Sequence, residues 1–306
     1  MSKNLLGQIS DIDLRLLKVF RTVVEAGGFA QAEVELNVSS SAISASMADL
    51  EKRLGLRLCQ RGRAGFALTD EGRQAYQALL QLHTALDGFR TEINSIHQQL
   101  KGELVIGITD NLVTLPHMSV TRALAALKAQ GPAVSIDIRM LSPGIVERGV
   151  VDGQLHLGVV PQVQKVSGLV FHPLYSETSS LYCSAEHPLF ACDDADIDLG
   201  LLARQEAVGQ SFAPSPEMKK LLEQLNVTAR ASDREGIAFM ILTGLYLGFL
   251  PDHYAERWVQ SGQMRALCPR QMSYEMEYAA ITRKGVRPNM VLDTFLQALA
   301  LGQAQA

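Results

Sequence analysis

The chain has 306 residues, 28 Lys plus Arg against 32 Asp plus Glu, a formal charge of −4, and 47% hydrophobic residues. That length predicts about two domains, and that composition excludes a disordered chain. The longest apolar run, Ile237 to Leu250, is broken by Thr243, Gly244 and Gly248, and falls short of the roughly 20 residues of a membrane span.

The N-terminus shows no secretion pattern, because Lys3 precedes only Leu5 and Leu6 before acids at Asp11 and Asp13. A cytoplasmic protein without a membrane partner is expected. Four cysteines without a CxxC make neither a disulfide scaffold nor a zinc site. The seven histidines lack metal-ligand spacing, so neither metal nor cofactor is expected. Charge is uneven along the chain. Lys52, Arg53, Arg57, Arg61 and Arg63 form a run without an acid, and the chain beyond residue 101 is net acidic. A basic patch on an acidic protein suits an anionic partner reached by one face.

Leu14, Leu17, Phe20 and Val23/Val24 recur at helical spacing and predict a first amphipathic helix. Ala26-Gly27-Gly28 ends it. A short second helix fits Phe29 to Leu36, and Asn37-Val38 makes a turn. Ser39 is a good N-cap for a third helix, which buries Ile43, Met47, Leu50 and Leu54 and stops at Gly55. Its first turns expose Ser40, Ser41, Ser44, Ala45 and Ser46. Small hydroxyl side chains at a helix start allow close approach, and the N-terminal amides favour phosphate. The pattern fits a helix-turn-helix whose third helix enters a major groove, with Ser39, Ser40, Ser41 and Ser44 as candidate contacts. Leu56, Leu58, Phe66 and Leu68 flank Gly62-Arg63-Ala64-Gly65 and predict a hairpin. Its tip carries Arg61 and Arg63, a basic wing for phosphate or the minor groove.

Thr69 caps a long helix with apolar residues at Ala75, Leu79, Leu82, Leu86, Phe89, Ile93, Ile96 and Leu100. That is a heptad repeat, the mark of a coiled coil and here of a dimer seam. Lys101-Gly102 is the expected hinge. Beyond it, strands are predicted at 104–108, 134–140, 155–159, 169–171, 181–183, 206–208, 247–250 and 277–281. Helices fall between them, for example at 116–129, 216–225, 234–243 and 289–301. This alternation predicts mostly parallel sheets, with ligands bound beyond strand ends. The strand-end segments include Pro161, Ser211 and Phe212, suited to a small organic anion or polar aromatic. Asp110 and Asp252 oppose a highly charged anion unless Arg234 offsets them. Gly209-Gln210-Ser211-Phe212-Ala213 only approaches a nucleophile elbow, and no acid or base is assignable to Ser211, so an enzyme is not expected. Cys183, in an apolar strand, reads as a buried small hydrophobe.

The N-terminal third, with DLRLLKVFRTVVEAGGF, LNVSSSAIS and LEKRLGLRLCQRGRAGFALTDEG, resembles the LysR-type transcriptional regulators. Looser echoes continue at Gly102-Glu103-Leu104, Gly153-Gln154-Leu155, His187-Pro188-Leu189 and Gly248-Phe249-Leu250-Pro251. The resemblance implies an N-terminal α winged helix-turn-helix domain (1–68), a coiled-coil linker helix with hinge (69–102), and an α/β effector-binding domain (103–306). That last domain would resemble a periplasmic binding protein, with subdomain I at about 103–172 and 277–306 and subdomain II at about 173–276. It also implies a homodimer or homotetramer that binds dyad DNA, responds to a small-molecule effector and communicates with RNA polymerase. By resemblance, Thr109 or Asn111 and Ser142 occupy effector-binding positions. The chain departs from the family pattern at Gly28, where a Ser cap is usual, at Glu33, at Ala45, where a basic residue is common, and at His156, where Asp is usual. The alternative reading is a cytosolic solute-binding module that its N-terminal helices oligomerise.

Overall fold

A computed structural model describes residues 9–62, 65–96, 100–109, 112–115, 119–286 and 289–303. Contacts divide the chain into two compact units, residues 1–86 and 87–306.

The first unit contains α1 (Asp11–Glu25), α2 (Phe29–Leu36), α3 (Ser40–Leu54), the hairpin β1 (Cys59–Gly62) with β2 (Gly65–Leu68), and the start of α4 (Asp70–Ile96). Asn37 takes the left-handed conformation that closes the α2–α3 turn, and Gly55 does so after α3. The buried stripe of α1 is Leu16, Phe20 and Val23, whereas Leu14, expected inside, is 37% exposed. Asp13 explains the shift. It is buried on the same face and meets Arg53 of α3 in a two-pronged ion pair, Nε to Oδ1 at 2.5 Å and Nη2 to Oδ2 at 3.0 Å. Those bonds, with the Ser10 hydroxyl and amide, hold the Asp13 carboxyl well below the usual carboxylate range. The second alanine position of α2, occupied by Glu33, is exposed, and the helix seals against the core through the buried Ala32 with the half-buried Phe29 and Leu36 beside it.

Residues far apart in sequence brace the wing. Glu51 of α3 accepts from the Leu58 and Cys59 amides at 2.7 and 3.3 Å. The Thr69 hydroxyl donates to the Arg57 carbonyl at 2.5 Å and accepts from the Gly72 amide at 2.8 Å. Tyr76, Leu79 and Leu80 of α4 close the core beneath Phe20. Further along α4, Leu86, Phe89 and Ile93 stay exposed.

The second unit carries β3 (Gly102–Ile108), α5 (Ser119–Gln130), β4 (Val134–Met140), α6 (Pro143–Asp152), β5 (Leu157–Pro161) and β6 (Leu169–Ser184). It continues with α7 (Leu199–Leu202), β7 (Glu206–Gln210), α8 (Pro216–Leu222), β8 (Asn226–Ala231), α9 (Arg234–Leu242), β9 (Leu247–Pro251), α10 (Asp252–Gln260), β10 (Met264–Ala266), β11 (Ser273–Arg283) and α11 (Met290–Gln303). The strand order is β4-β3-β5-β11-β6-β9-β7-β8, with β10 also on β6.

The expected mostly parallel arrangement is corrected here to a mixed one. β3, β4 and β5 pair in parallel, as do β7, β8 and β9. Every pairing of β6 and β11 is antiparallel. The two short strands expected at 169–171 and 181–183 are the ends of one 16-residue strand, β6. Together β6 and β11 bridge two lobes. One holds β3–β5 with α5, α6 and α11, and the other holds β7–β9 with α7–α10. The main core lies on one sheet face, beneath α5, α8 and α11. A second cluster lies under α9 and α10, and a third under α6.

Candidate DNA-binding and effector sites

The serine candidates open α3. Ser39 is its exposed N-cap, accepting from the Ala42 amide at 3.4 Å and lying 3.0 Å from the Ser41 hydroxyl. Ser41 is exposed, and Ser40 and Ser44 are half-buried. The first α3 turns thus present hydroxyls and N-terminal amides around the buried Ile43 and Met47. The backbone of Arg61 pairs with Phe66 across the hairpin, while its side chain, and the whole of Arg63, lie outside the described residues. Arg57 is exposed and makes no ion pair with a described acid of α3. Glu51 is engaged with the β1 amides instead, and Arg53 has gone to Asp13 of α1.

In the second unit, the candidates sit where parallel strands end and helices begin. Thr109 follows β3 and is buried, its amide donating to the Val159 carbonyl at 3.3 Å and its hydroxyl without a partner among the described residues. Ser142 is the N-cap of α6, half-buried, with its side chain free of a capping bond. The Leu141 amide bonds to the Ile108 carbonyl at 3.0 Å, so Ser142 and Thr109 end adjacent strands. Pro161 ends β5 and pairs with Tyr278. Asn111, with Asp110, lies outside the described residues.

Phe212 belongs to an aromatic and cationic cluster. Arg234, 7% exposed at the start of α9, places its guanidinium 5.8 Å from the Phe212 ring centre and donates to the Tyr278 hydroxyl at 3.3 Å. Tyr278 stacks on Tyr175 with centroids 5.0 Å apart. Burial, followed by the charges of Tyr278 and Glu177, pushes the Tyr175 phenol far up, with Arg234 opposing. This phenol is a fixed hydrogen-bond donor. A buried guanidinium framed by rings suits a carboxylate or similar anion.

Ser211, next to Phe212 in the chain, is exposed, and its amide bonds to the Ala231 carbonyl at 2.8 Å. Nothing among the described residues hydrogen-bonds its hydroxyl, so the elbow-like motif has no base there. Asp252 accepts from the Tyr182 hydroxyl at 2.9 Å and is thereby occupied. The Cys183 thiol is pushed up to about 11 by burial, which leaves it a weak nucleophile.

Sequence reasoning misses Tyr175, Glu177 and His253. The first two fall between the short strands expected at 169–171 and 181–183, in a stretch that reads as loop. A usable signal is present, since Tyr175, Glu177 and Ser179 alternate in phase with Leu181 and Cys183.

His156, the departure from the usual Asp, has a structural task. Its Nδ1 accepts the Val105 amide at 2.9 Å inside the sheet. Burial lowers its pKa, as it does for His172 and His187. The unfolded chain therefore takes up more protons below about pH 6.5. Stability from these groups is complete above about pH 6.5 and is lost as pH falls through their lower folded values. Melting of the second unit between about pH 8 and pH 5 should show this decline, and a flat profile would contradict it.

A winged helix-turn-helix followed by a two-lobed α/β unit, with its candidate site at strand ends, defines a regulator with separate reading and sensing parts. The comparisons identify the family. Residues 14–73 match the bacterial regulatory helix-turn-helix protein, lysR family, and residues 97–302 match the LysR substrate binding domain. The chain belongs to the LysR family of transcription regulators. It is 54% identical over 296 residues to the HTH-type transcriptional activator BauR of Pseudomonas aeruginosa, covering 97% of each chain. Two solved structures share the fold. Full-length CbnR in complex with its target DNA has a TM-score of 0.64 at 18% identity, covering 94% of this chain and 99% of that one. A full-length OxyR variant from Pseudomonas aeruginosa has a TM-score of 0.62 at 19% identity, covering 96% of each. These relatives are regulators and not enzymes. Among the described residues, no helix is long and apolar enough to cross a membrane.

Proposed function

We propose that this chain is a ligand-responsive, DNA-binding transcription regulator of the cytoplasm. It acts as a dimer or tetramer on dyad DNA and passes its state to RNA polymerase. The division proposed is 1–68 for DNA, 69–102 for pairing and 103–306 for the effector. The observation that carries the reading is the serine-rich start of α3, with Ser39 and Ser41 exposed and Ser40 and Ser44 half-buried, and the wing braced to α3 through Glu51. Ser39, Ser40, Ser41 and Ser44 face the groove, and Arg61 and Arg63 meet phosphate. The structure of CbnR in complex with its target DNA supports this, and the 54% identical relative, a transcriptional activator, supports activation as the output.

The effector proposed is a small organic anion or polar aromatic, held between the lobes by Thr109, Asn111, Ser142, Pro161, Ser211 and Phe212. Arg234 supports it as the buried cation above Phe212. An effector acts only through its different affinity for two arrangements of the lobes. The solute-binding alternative leaves the serine face without a purpose.

Footprinting of the chain's own upstream DNA across a salt series tests the reading. Phosphate contacts release counterions, so affinity falls steeply with salt. Arg61→Ala with Arg63→Ala removes four arginines from a dimer on its dyad site, and should weaken binding and reduce the slope by roughly 3.6. An unchanged slope would remove the wing from the interface. Absence of protection on both this DNA and random genomic fragments at low salt would remove the DNA-binding reading.

A further inference from the structure

The two lobes of the second unit are joined by β6 and β11, and one side-chain contact also bridges them. Thr114 Oγ1 lies 2.7 Å from His253 Nδ1. Thr114 closes the short 3-10 turn Leu112–Thr114 that follows β3, and His253 stands in the first turn of α10, after β9. These residues belong to opposite lobes. The other ring nitrogen, Nε2, lies 2.9 Å from Glu177 Oε2. With its proton on Nε2, the ring donates to the carboxylate and accepts from the threonine hydroxyl.

Glu177 occupies a particular place on β6. That strand pairs with β9 only from Ser179 to Tyr182. Its register with β11 slips between Tyr278 and Ala279, leaving Leu174 unmatched. Such an irregularity bends a strand pair. Glu177 stands between the irregularity and the lobe that carries β9, in the stretch that crosses from one lobe to the other. Its side chain is 2% exposed, and its second oxygen, Oε1, has no hydrogen-bond partner among the described residues. The Tyr175 and Thr109 hydroxyls are also buried without partners among the described residues. Buried polar groups left unpaired disfavour the arrangement that buries them.

We propose that Thr114, His253 and Glu177 form a latch between the lobes. The hydroxyl–imidazole contact holds the arrangement described here, Glu177 anchors the ring from the crossing strand, and release lets the lobes part about the irregularity at Tyr278. The latch deepens the proposed function, on which it rests, by naming the contact that an effector in the cleft would strengthen or break.

Thr114→Val keeps the shape and removes the hydroxyl, and Thr114→Ser restores it. The test is hydrogen exchange on the full chain without effector or DNA, reading the β6 segment 174–180 and the β11 segment 273–279. The Val variant should exchange there about five-fold faster, the shift expected from one net hydrogen bond. The Ser variant should match the parent, and the α3 segment 43–50 should be unchanged in both. His253→Asn, too short to reach both partners, should reproduce the Val result. Trp258, the sole tryptophan, lies on α10 and reports the same change through its emission. Unchanged exchange in the crossing segments of both the Val and Asn variants overturns the latch. An equal rise throughout the second unit also overturns it, because that marks a merely structural role. Neither readout needs DNA, so failure of the latch is distinguishable from failure of the DNA-binding reading, which the salt series tests.

Discussion

Gly72→Ala is expected to unfold the winged module at a much lower temperature, although the same substitution at a helix position usually stabilises. In α4, alanine exceeds glycine in helix propensity by about 1 kcal/mol. At residue 72 the added Cβ would fall inside van der Waals contact of the Leu58 carbonyl oxygen, 2.8 Å from its carbon and 3.1 Å from its Cα. All three are backbone atoms at the foot of the wing and have little room to yield. The Leu58 amide is already bonded to Glu51, and its carbonyl accepts the Thr69 amide at 3.1 Å. Relief requires α4 to slide away from β1. That breaks the two Thr69 hydroxyl bonds and loosens Tyr76, Leu79 and Leu80 in the core. Overpacking of this kind costs about 2 kcal/mol or more, on the order of 10 °C for a module of this size. Gly88→Ala is the control on the same helix. Its Cβ meets nothing within 4 Å, so it should hold or raise stability. Calorimetry on the full chain, or hydrogen exchange at Ile43–Leu50, reads both. A Gly72→Ala protein as stable as the parent would mean that the wing is not clamped by this helix.

The same region shows how far the sequence can be read. The boundaries of α2 and α3 follow from Asn37, Ser39 and Gly55, because turn and cap residues act over three or four positions. Ser39 is therefore assignable as a cap from its neighbours alone. The buried face of α1 is less legible. Asp13 is held locally by the Ser10 amide and hydroxyl, but its partner on α3 is Arg53, 40 residues later, and local periodicity carries no information on such a pairing. The second unit extends the point. Its parallel strands read as apolar runs, since both of their faces are covered. The middle of β6 reads as loop, because a strand crossing between lobes faces a cleft and carries Tyr175, Glu177 and Ser179. The polar residues that place the candidate site are the ones that hide the strand holding it. Arg234 reads in sequence only as a charge, and its position over Phe212 depends on helix α9 starting where β8 ends.

Replacing both Phe89 and Ile93 by Glu is expected to convert the protein to a monomer and lower its affinity for dyad DNA at least ~100-fold. The heptad stripe of α4 has two parts with different fates. Leu79 is buried within its own module, with Tyr76 and Leu80 beside it. Leu86, Phe89 and Ile93 are 37%, 65% and 41% exposed in the single chain. An apolar stripe of coiled-coil spacing left in water is unfavourable, at roughly 25 cal/mol per Å² of apolar surface. Two copies of the helix facing each other remove that surface. Because these side chains contact little within the chain, glutamates there should leave each unit folded. In a pair they would set like charges across a dry seam. Dissociation makes the two DNA-binding modules independent, and the second half-site then contributes no intramolecular advantage, which for linked sites is worth about 10²–10⁴-fold. Sedimentation velocity gives the mass, and footprinting at fixed salt gives the affinity. A double variant that stays dimeric with full operator affinity would place the seam elsewhere. A monomer with full affinity would show that each module reads its half-site alone. The result expected, a folded monomer with weak binding, would assign the exposed half of the stripe to pairing and the buried half to holding the wing.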